Sequence, residues 1–338
     1  METAERASLT VCIAVVIALA ASCVRGEPLI RPAVGSTAEI AREDVAGLPP
    51  TDPPQSPAVE FQKEPESGQP VSNLVCAGPA TQGGAIVCRA QPDTSVFLNA
   101  QPAAIASADG LVVIGLSRDA PPEVVVSVGA PGSGDEKDVR VAVLPRRDSV
   151  SKFTMECGKI APQTPEQKRH ADVSWVKKDR ALRTFSPKVS AFGFVKPADG
   201  PYSSPFGAVR TYVPKTADCD GSTSVHNGQD IAVPVGTEVR APMGGTVILA
   251  DPDLFFEGGA VFVDHGMGLV SVMMHLSRID VVDGAIVQQG DVLGLSGATG
   301  RVTGPHLHWA IKYRNVHSGD RGTDIWLDPV LMMALPAP

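Results

Sequence analysis

Two histidines separated by a single residue stand near the C-terminal end of the sequence. His306 and His308 belong to the run Gly304-Pro305-His306-Leu307-His308-Trp309. In a β-strand successive side chains point to opposite faces, so both imidazoles would share one face, roughly 7 Å apart at ~3.3 Å per residue. Neutral imidazole is the commonest protein ligand of zinc and a proton shuttle near neutral pH. The pattern therefore predicts a strand that carries a metal ligand beside a catalytic base.

Three further polar side chains lie upstream at the ends of predicted strands. Gly228 allows a turn between His226 and Asp230, and His275 closes the apolar run of residues 268–273. Two neutral nitrogens and one carboxylate form a ligand set suited to zinc, with the fourth tetrahedral position left to water. Unrelated surface histidines are the alternative explanation. Four histidines and an aspartate within one glycine-rich β region favour the metal site.

Six sequence segments carry a family resemblance, in this order along the chain: Ser204-Pro205-Phe206-Gly207-Ala208-Val209-Arg210, His226-x-x-x-Asp230, Gly236-Thr237-Glu238-Val239-Arg240-Ala241-Pro242, Asp264-His265-Gly266-Met267-Gly268, His275-Leu276-Ser277 and Gly300-Arg301-Val302-Thr303-Gly304-Pro305-His306-Leu307-His308. Together they resemble the lysostaphin-type (LytM-like) zinc metallopeptidases, in particular periplasmic peptidoglycan endopeptidases. The resemblance implies that His226, Asp230 and His308 bind one Zn²⁺ per catalytic domain. It also implies that His275 and His306 are catalytic, polarising the metal-bound water and stabilising the transition state.

One position departs from the commonest pattern of the resembled family. Many members carry a tyrosine two residues before the equivalent of His275, where this chain has Met273. Loss of a phenol that could hydrogen-bond the oxyanion would affect rate or substrate orientation, but it removes no metal ligand. His265 lies in a family loop motif and is expected to be structural. His170 and His317 match no motif and are expected to be exposed.

The predicted activity is zinc-dependent hydrolysis of peptide bonds in peptidoglycan stems or crosslinks, with D,D-endopeptidase specificity. Zinc lowers the pKa of a bound water towards ~7, and a neutral imidazole can move the proton to the leaving amine. No His-Glu-x-x-His motif is present, which excludes a helix-borne zinc site. The alternative is a non-catalytic wall-binding scaffold of the same fold that activates a cell-wall amidase. A wall-binding module with a closed structural zinc site is less favoured still, because the motifs offer no fourth protein ligand.

The first 70 residues predict export. Residues 9–21 form an apolar run that is too short to span a bilayer and typical of a secretory signal, so residues 1–26 are assigned as a signal peptide. Cys23 follows a lipobox-like segment in which Ala20 replaces a larger aliphatic residue. A lipid anchor at Cys23 and ordinary cleavage nearby both remain open. Residues 27–70 are rich in proline and acidic residues and are expected to form a disordered tether. The family resemblance and the lipobox-like segment together imply a location in the periplasm or, as a lipoprotein, on the outer membrane.

Outside the predicted signal peptide the chain has four cysteines, and this even number agrees with export. Cys76 and Cys88 flank a glycine pair and could bridge neighbouring strands of a hairpin, which leaves Cys157 with Cys219. Four cysteines allow three connectivities, so the pairing stays open. Cys219 as an additional metal ligand is a less favoured alternative.

The fold is predicted to be mainly β. Residues 71–146 contain short β-branched runs separated by turn residues, which favours a small immunoglobulin-like sandwich. Residues 147–194 form a linker with a helix over 165–183, opened by a capping box at Thr164. Residues 195–332 form an antiparallel β endopeptidase domain with a zinc groove. The net charge of −8 gives no support for a nucleic-acid partner. The family resemblance implies peptidoglycan as the partner, and the protein is expected to be a monomer.

Overall fold

The structure is a computed structural model that describes residues 74–77, 80–129, 131–132, 134, 136–185, 193–315 and 323–335. The predicted signal peptide, Cys23 and the tether of residues 27–70 lie outside these ranges, as does His317. Among the described residues, no helix has the length and apolar character needed to cross a membrane.

Eight short strands between residues 75 and 144 form two sheets. They are β1 (Val75–Ala77), β2 (Ala80–Thr81), β3 (Ala85–Arg89), β4 (Ser95–Leu98), β5 (Gln101–Ile105), β6 (Leu111–Gly115), β7 (Glu123–Val128) and β8 (Lys137–Leu144). One sheet has the order β1-β3-β6 and the other β2-β8-β7-β4-β5, with only β2 and β8 parallel. Their buried side chains, such as Ile86, Val112 and Val124, form one core. This is the two-sheet arrangement expected of a sandwich.

The segment predicted as a linker holds more regular structure than its sequence suggested. It contains β9 (Val150–Met155), α1 (Cys157–Ile160) and α2 (Pro165–Ala181). The Thr164 hydroxyl accepts from the Gln167 main-chain N–H, and the Gln167 side chain accepts from the Thr164 N–H, both at 3.2 Å. The capping box therefore forms as expected, and the helix ends at Ala181, two residues before the predicted end.

The rest of the described chain contains β10 (Tyr202–Ser204), β11 (Val209–Pro214), β12 (Ser222–Val225), β13 (Gln229–Ile231), β14 (Glu238–Arg240), β15 (Gly245–Leu254), β16 (Gly258–Gly266), β17 (Leu269–Leu276), β18 (Arg278–Ile279), β19 (Ile286–Val287), β20 (Val292–Leu295), β21 (Leu307–Tyr313), β22 (Ile325–Leu327) and α3 (Pro329–Met333). The main sheet has the order β10-β13-β21-β17-β16-β15-β19, with β22 paired to β21, and all its pairs are antiparallel. The chain also forms two small sheets, with the strand orders β12-β11-β9 and β14-β20-β18. Strand β9 runs parallel to β11. The prediction of a mainly β fold with an antiparallel sheet is confirmed.

The central strands of the main sheet are buried on both faces, because each reads as an almost continuous apolar run. On one face Val261, Leu269 and Trp309 belong to the largest hydrophobic core. On the other face Phe262 and Val272 pack in a second core that includes residues of α2 and the turn after it. The strands β17 and β21 are thereby packed between the two cores.

Helix α2 is bound to the β15–β16 hairpin by polar contacts as well as by apolar packing. Lys177 Nζ lies 2.6 Å from Asp251 Oδ2, and Lys178 pairs with Glu257. His170 Nε2 lies 2.7 Å from the carbonyl oxygen of Asp253. His170 is thus partly buried in a contact between elements, whereas its sequence context predicted an exposed side chain.

Candidate metal centre

Strand register brings the predicted ligands together. Asp230 on β13 is the direct partner of His308 on β21, and His308 is in turn opposite Met274 on β17. Gly228, two residues before Asp230, must be a glycine, because a Cβ there would lie 2.5 Å from the Trp309 carbonyl oxygen and 2.6 Å from His308 Nε2. The backbones of the His226–Asp230 loop and β21 can therefore approach closely enough for their side chains to converge.

The atoms of His226, Asp230 and His308 meet at one point. His226 Nε2 lies 2.9 Å from His308 Nδ1 and 3.1 Å from Asp230 Oδ1, and His308 Nδ1 lies 2.9 Å from Asp230 Oδ1. All three side chains are buried. Ligands about 2.0–2.1 Å from a tetrahedral zinc ion would lie roughly 3.3 Å apart, so the cluster matches a metal-binding geometry to within a few tenths of an ångström.

Hydrogen bonding fixes which ring nitrogen of His226 faces this point. His226 Nδ1 donates to the Pro205 carbonyl at 2.8 Å, so the neutral ring carries its proton there and presents the Nε2 lone pair to the cluster. Burial lowers the pKa of His226 to about 4, which keeps the ring neutral near pH 7. Burial alone would raise the pKa of Asp230, but its contacts with His226 and His308 hold that pKa well below the ordinary value. Two imidazoles and a carboxylate directed at one buried point fit a divalent cation.

His275 and His306 form a second pair beside the cluster. Their ring centroids are 4.9 Å apart, and the His275 ring is 6.0 Å from that of His308. His275 Nδ1 donates to the Thr299 carbonyl at 2.9 Å, and His306 Nδ1 to that of Gly304 at 2.9 Å, so the Nε2 of each neutral ring is an acceptor. Burial lowers the pKa of His275 to about 3. The Nδ1 hydrogen bonds therefore leave an unprotonated Nε2 on each neutral ring next to the predicted metal.

Two details of this pair differ from the sequence expectation. His306 lies just before β21 in an isolated bridge to Gly297, rather than within the same strand as His308. His275 has φ of +68°, a left-handed conformation that is unusual for a residue other than glycine and interrupts the alternation of β17. The strand alternates regularly up to Met274, so Met273 is fully buried in the main core with Leu269, whereas Met274 lines the site together with His275. A tyrosine at position 273 would point away from the metal cluster, so the expected effect of Met273 on the oxyanion is not supported.

Arg210 on β11 hydrogen-bonds the carboxylate of the predicted ligand Asp230. Its Nη2 donates to Asp230 Oδ2 at 2.5 Å and to Ser204 Oγ at 2.8 Å. The outer carboxylate oxygen is therefore occupied by the guanidinium, which leaves Oδ1 directed at the histidines. Ser204 and Arg210 both belong to the first of the six segments that carry the family resemblance, but the sequence alone assigned them no role. Their shared segment was the only signal that could have suggested one.

A turn formed by residues 205–208 holds His226 by its main chain as well as its ring. The His226 N–H donates to Ala208 O at 2.9 Å, and the His226 carbonyl accepts from the Gly207 N–H at 2.8 Å. Arg146, from the predicted linker, donates to Phe206 O at 2.9 Å and to Gln82 O at 3.0 Å. The position of a predicted metal ligand thus depends on an arginine more than 50 residues upstream.

Two clefts border the cluster. The first, about 600 Å³, is lined by His226, His275 and His308, and the second, about 680 Å³, by Asp230, His275 and His306. They share four wall residues: Arg210, Tyr212, His275 and Arg301. An extended chain could lie across both clefts, past the predicted metal and its neighbouring histidines.

The other residues singled out in the sequence lie away from this point. His265 is fully buried in β16, with Nδ1 2.9 Å from Gly244 O and Nε2 2.7 Å from Ser271 Oγ, as expected of a structural residue. Cys219 forms a disulfide with Cys157, which removes it as a metal ligand. The other disulfide joins register partners Cys76 and Cys88 on β1 and β3.

Comparison with known proteins agrees with the site. Residues 224–320, which include all five predicted site residues, match Peptidase family M23. The chain is 43% identical over 89 residues to peptidoglycan DD-endopeptidase ShyA and 35% identical over 105 residues to ShyC, both of Vibrio cholerae serotype O1. These matches cover 26% and 31% of this chain but only 20% and 24% of the relatives' length.

A solved structure matches over a much longer region. The crystal structure of a putative peptidase M23 from Pseudomonas aeruginosa is 32% identical, with a TM-score of 0.54. The match covers 76% of this chain and 96% of that one. On this evidence the chain belongs to peptidase family M23.

Proposed function

We propose that this chain is a zinc metalloendopeptidase that hydrolyses peptide bonds in peptidoglycan stems or crosslinks, with D,D-endopeptidase specificity. The observation that carries the proposal is the convergence of His226 Nε2, His308 Nδ1 and Asp230 Oδ1 within 3.1 Å of one another. The names of the relatives ShyA and ShyC support the substrate class.

The donor set favours zinc over harder divalent ions. Magnesium and calcium prefer oxygen ligands, whereas two imidazoles and one carboxylate suit zinc. Three protein ligands leave one coordination position open, as in catalytic rather than structural sites. When bound, zinc would supply an acidified water and a Lewis acid for the scissile carbonyl.

The histidine pair would carry the proton that hydrolysis has to move. Attack of water on the amide carbon releases one proton, and the departing amine nitrogen requires one as the C–N bond breaks. The unprotonated Nε2 of His275 or His306 can accept that proton and return it to the amine. Once it has taken up the proton, the same imidazole can donate a hydrogen bond from Nε2 to the oxyanion before it protonates the amine.

The predicted location is extracytoplasmic. We propose that residues 1–26 direct export and that residues 27–70 act as a tether, in the periplasm or on the outer membrane through a lipid on Cys23. The zinc peptidase domain is assigned to residues 195–332, and the sandwich of residues 71–146 to a spacer or wall-docking role in a monomeric protein.

Digestion of purified sacculi tests the activity. Zinc-loaded protein should release soluble crosslinked fragments whose masses identify the bond cleaved, and His306→Ala should abolish this release. His170→Ala serves as the matched control, because it removes a histidine outside the cluster and should retain activity. Equal release by the parent and His306→Ala would rule out the proposed role of the pair, and no release by the zinc-loaded parent would count against the peptidase itself.

A further inference from the structure

Arg301 stands in the wall that the two clefts share, in the loop between β20 and β21. It lines both clefts together with Arg210, Tyr212 and His275. The side chain is half-buried. A cation at this place would lie beside any peptide that extends past the predicted catalytic histidines.

Two aromatic rings and one main-chain hydrogen bond fix Arg301. Its Cζ lies 5.0 Å from the ring centroid of Tyr212 and 4.7 Å from that of Phe256. Its main-chain N–H donates to the carbonyl oxygen of Phe256 at 2.8 Å. Cation–π contacts attract the guanidinium without using its N–H donors, so the group is oriented while its hydrogen-bonding capacity is retained.

The other cations of the first cleft have acidic partners. Lys178 pairs with Glu257, Arg210 with Asp230 at 2.5 Å, and Lys312 with Asp324 at 3.9 Å. Among the residues that the structure describes, Arg301 forms no ion pair with a carboxylate and no side-chain hydrogen bond, and its contacts are the two rings.

The second cleft has an excess of positive charge. Lys152, Arg210 and Arg301 line it, and Asp230 is its only carboxylate. Because Asp230 already binds Arg210 and the histidines, it leaves Arg301 without a counter-ion from the cleft. A planar guanidinium in such a position matches the two oxygens of a carboxylate, and its ordering by the rings reduces the entropy lost on binding.

We propose that Arg301 is a specificity residue that binds a free carboxylate on the substrate residue adjoining the scissile bond. This inference rests on the proposed peptidase function and narrows its substrate class to peptides with an anionic group next to the cleaved amide. Neutral peptides of the same length would lack the partner that Arg301 requires.

A matched pair of crosslinked peptides tests the proposal. The two differ in one group, a carboxylate or a carboxamide on the residue that follows the scissile bond. The zinc-loaded parent should cleave the carboxylate peptide about 10- to 100-fold more efficiently in kcat/KM, mainly through KM, as expected for a charge-assisted hydrogen-bond pair. Arg301→Gln should lower the ratio of kcat/KM for the carboxylate peptide to that for the carboxamide peptide to about one, and Arg301→Lys should give an intermediate ratio.

Arg278→Gln is the matched control, because this exposed arginine pairs with Asp280 at 2.7 Å away from both clefts, and it should keep the full preference. Equal cleavage of the two peptides by the parent would overturn the inference. So would an undiminished preference in Arg301→Gln, or an equal loss of both activities.

Binding separates this inference from the peptidase function. Calorimetry with chelator-treated protein measures the affinity for both peptides without hydrolysis. If the zinc-loaded parent cleaves neither peptide, the peptidase proposal fails. A carboxylate preference in binding that Arg301→Gln removes would still support the role of Arg301, and equal affinities would refute it.

Discussion

Removal of Arg210 should weaken metal binding although Arg210 is not itself a ligand. Its guanidinium is the only described side chain that hydrogen-bonds the outer oxygen of Asp230, at 2.5 Å, and it also binds Ser204. Arg210→Met keeps most of the side-chain length but removes the charge and both hydrogen bonds. The Asp230 carboxylate then has a buried oxygen without a partner and is free to rotate away from the histidines.

The magnitude follows from the bond that is lost. A hydrogen bond to a charged group contributes about 1.5–3 kcal/mol, which corresponds to roughly a 10- to 150-fold increase in the zinc Kd. Loss of a group that orients a metal ligand has a similar effect, about 10- to 100-fold. We therefore expect Arg210→Met to raise the zinc Kd by at least about tenfold near pH 7.

The effect should depend on pH in a defined direction. Burial is the main reason why the pKa of His226 is low, and the positive charge of Arg210 lowers it further. Without that charge the pKa of His226 rises, so protons compete better for the ligand nitrogen as the pH falls. Because the ring is almost wholly neutral above pH 6, the additional loss of affinity should appear near pH 5 and be absent near pH 8, and Arg210→Lys should show a smaller pH dependence than Arg210→Met.

Competition with a chromophoric chelator at several pH values measures these dissociation constants directly. Arg240→Gln is the control, because Arg240 is exposed on β14 and bonded to Glu238 away from the cluster. A zinc Kd for Arg210→Met within about twofold of the parent at every pH would refute the argument that the arginine orients Asp230.

Two further predictions concern residues outside the cluster. Burial lowers the pKa of His265 from 6.5 to about 4, so the unfolded chain binds a proton that the folded chain excludes as the pH falls below 6.5. Between about pH 7.5 and pH 4.5 the free energy of unfolding of the parent should therefore fall by ~2.5 kcal/mol more than that of His265→Gln. Urea titrations of metal-free protein measure both free energies, and an equal fall with pH in the two proteins would contradict this prediction. Arg146→Gln should raise the zinc Kd about tenfold, because the turn of residues 205–208 that holds His226 loses its hydrogen bond from Arg146 to Phe206 O, whereas exposed Arg147→Gln should leave the Kd unchanged. An unaltered Kd in Arg146→Gln would show that the turn holds His226 without this arginine.

The sequence could predict the parts of this site that are encoded locally. The spacing of His226 and Asp230, and the short apolar strand that carries His308, place polar side chains at strand ends by simple alternation. Family resemblance then implied which of these side chains bind the metal and which are catalytic. The mainly β fold was predictable for the same reason, since glycines and β-branched runs mark short strands and tight turns.

The supporting contacts could not be predicted because they join residues that are distant in sequence. Arg146 meets Phe206 across 60 residues, and β9 pairs in parallel with β11 after two intervening helices. The backbone conformation at His275 could not be predicted from the local sequence either. The positive φ of His275 places its ring on the side of Met274, whereas simple alternation would have placed it on the side of Met273. Such features depend on tertiary packing rather than on residue type.

The metal content of folded protein tests the central claim most directly. After dialysis against zinc and removal of the excess, elemental analysis of the parent should give one zinc per chain, and Asp230→Ala, with its folding verified by circular dichroism, should retain almost none. His170→Ala should match the parent. If Asp230→Ala bound zinc in the same amount and with the same affinity as the parent, His226, Asp230 and His308 would not be the metal site and the proposed chemistry would have no basis.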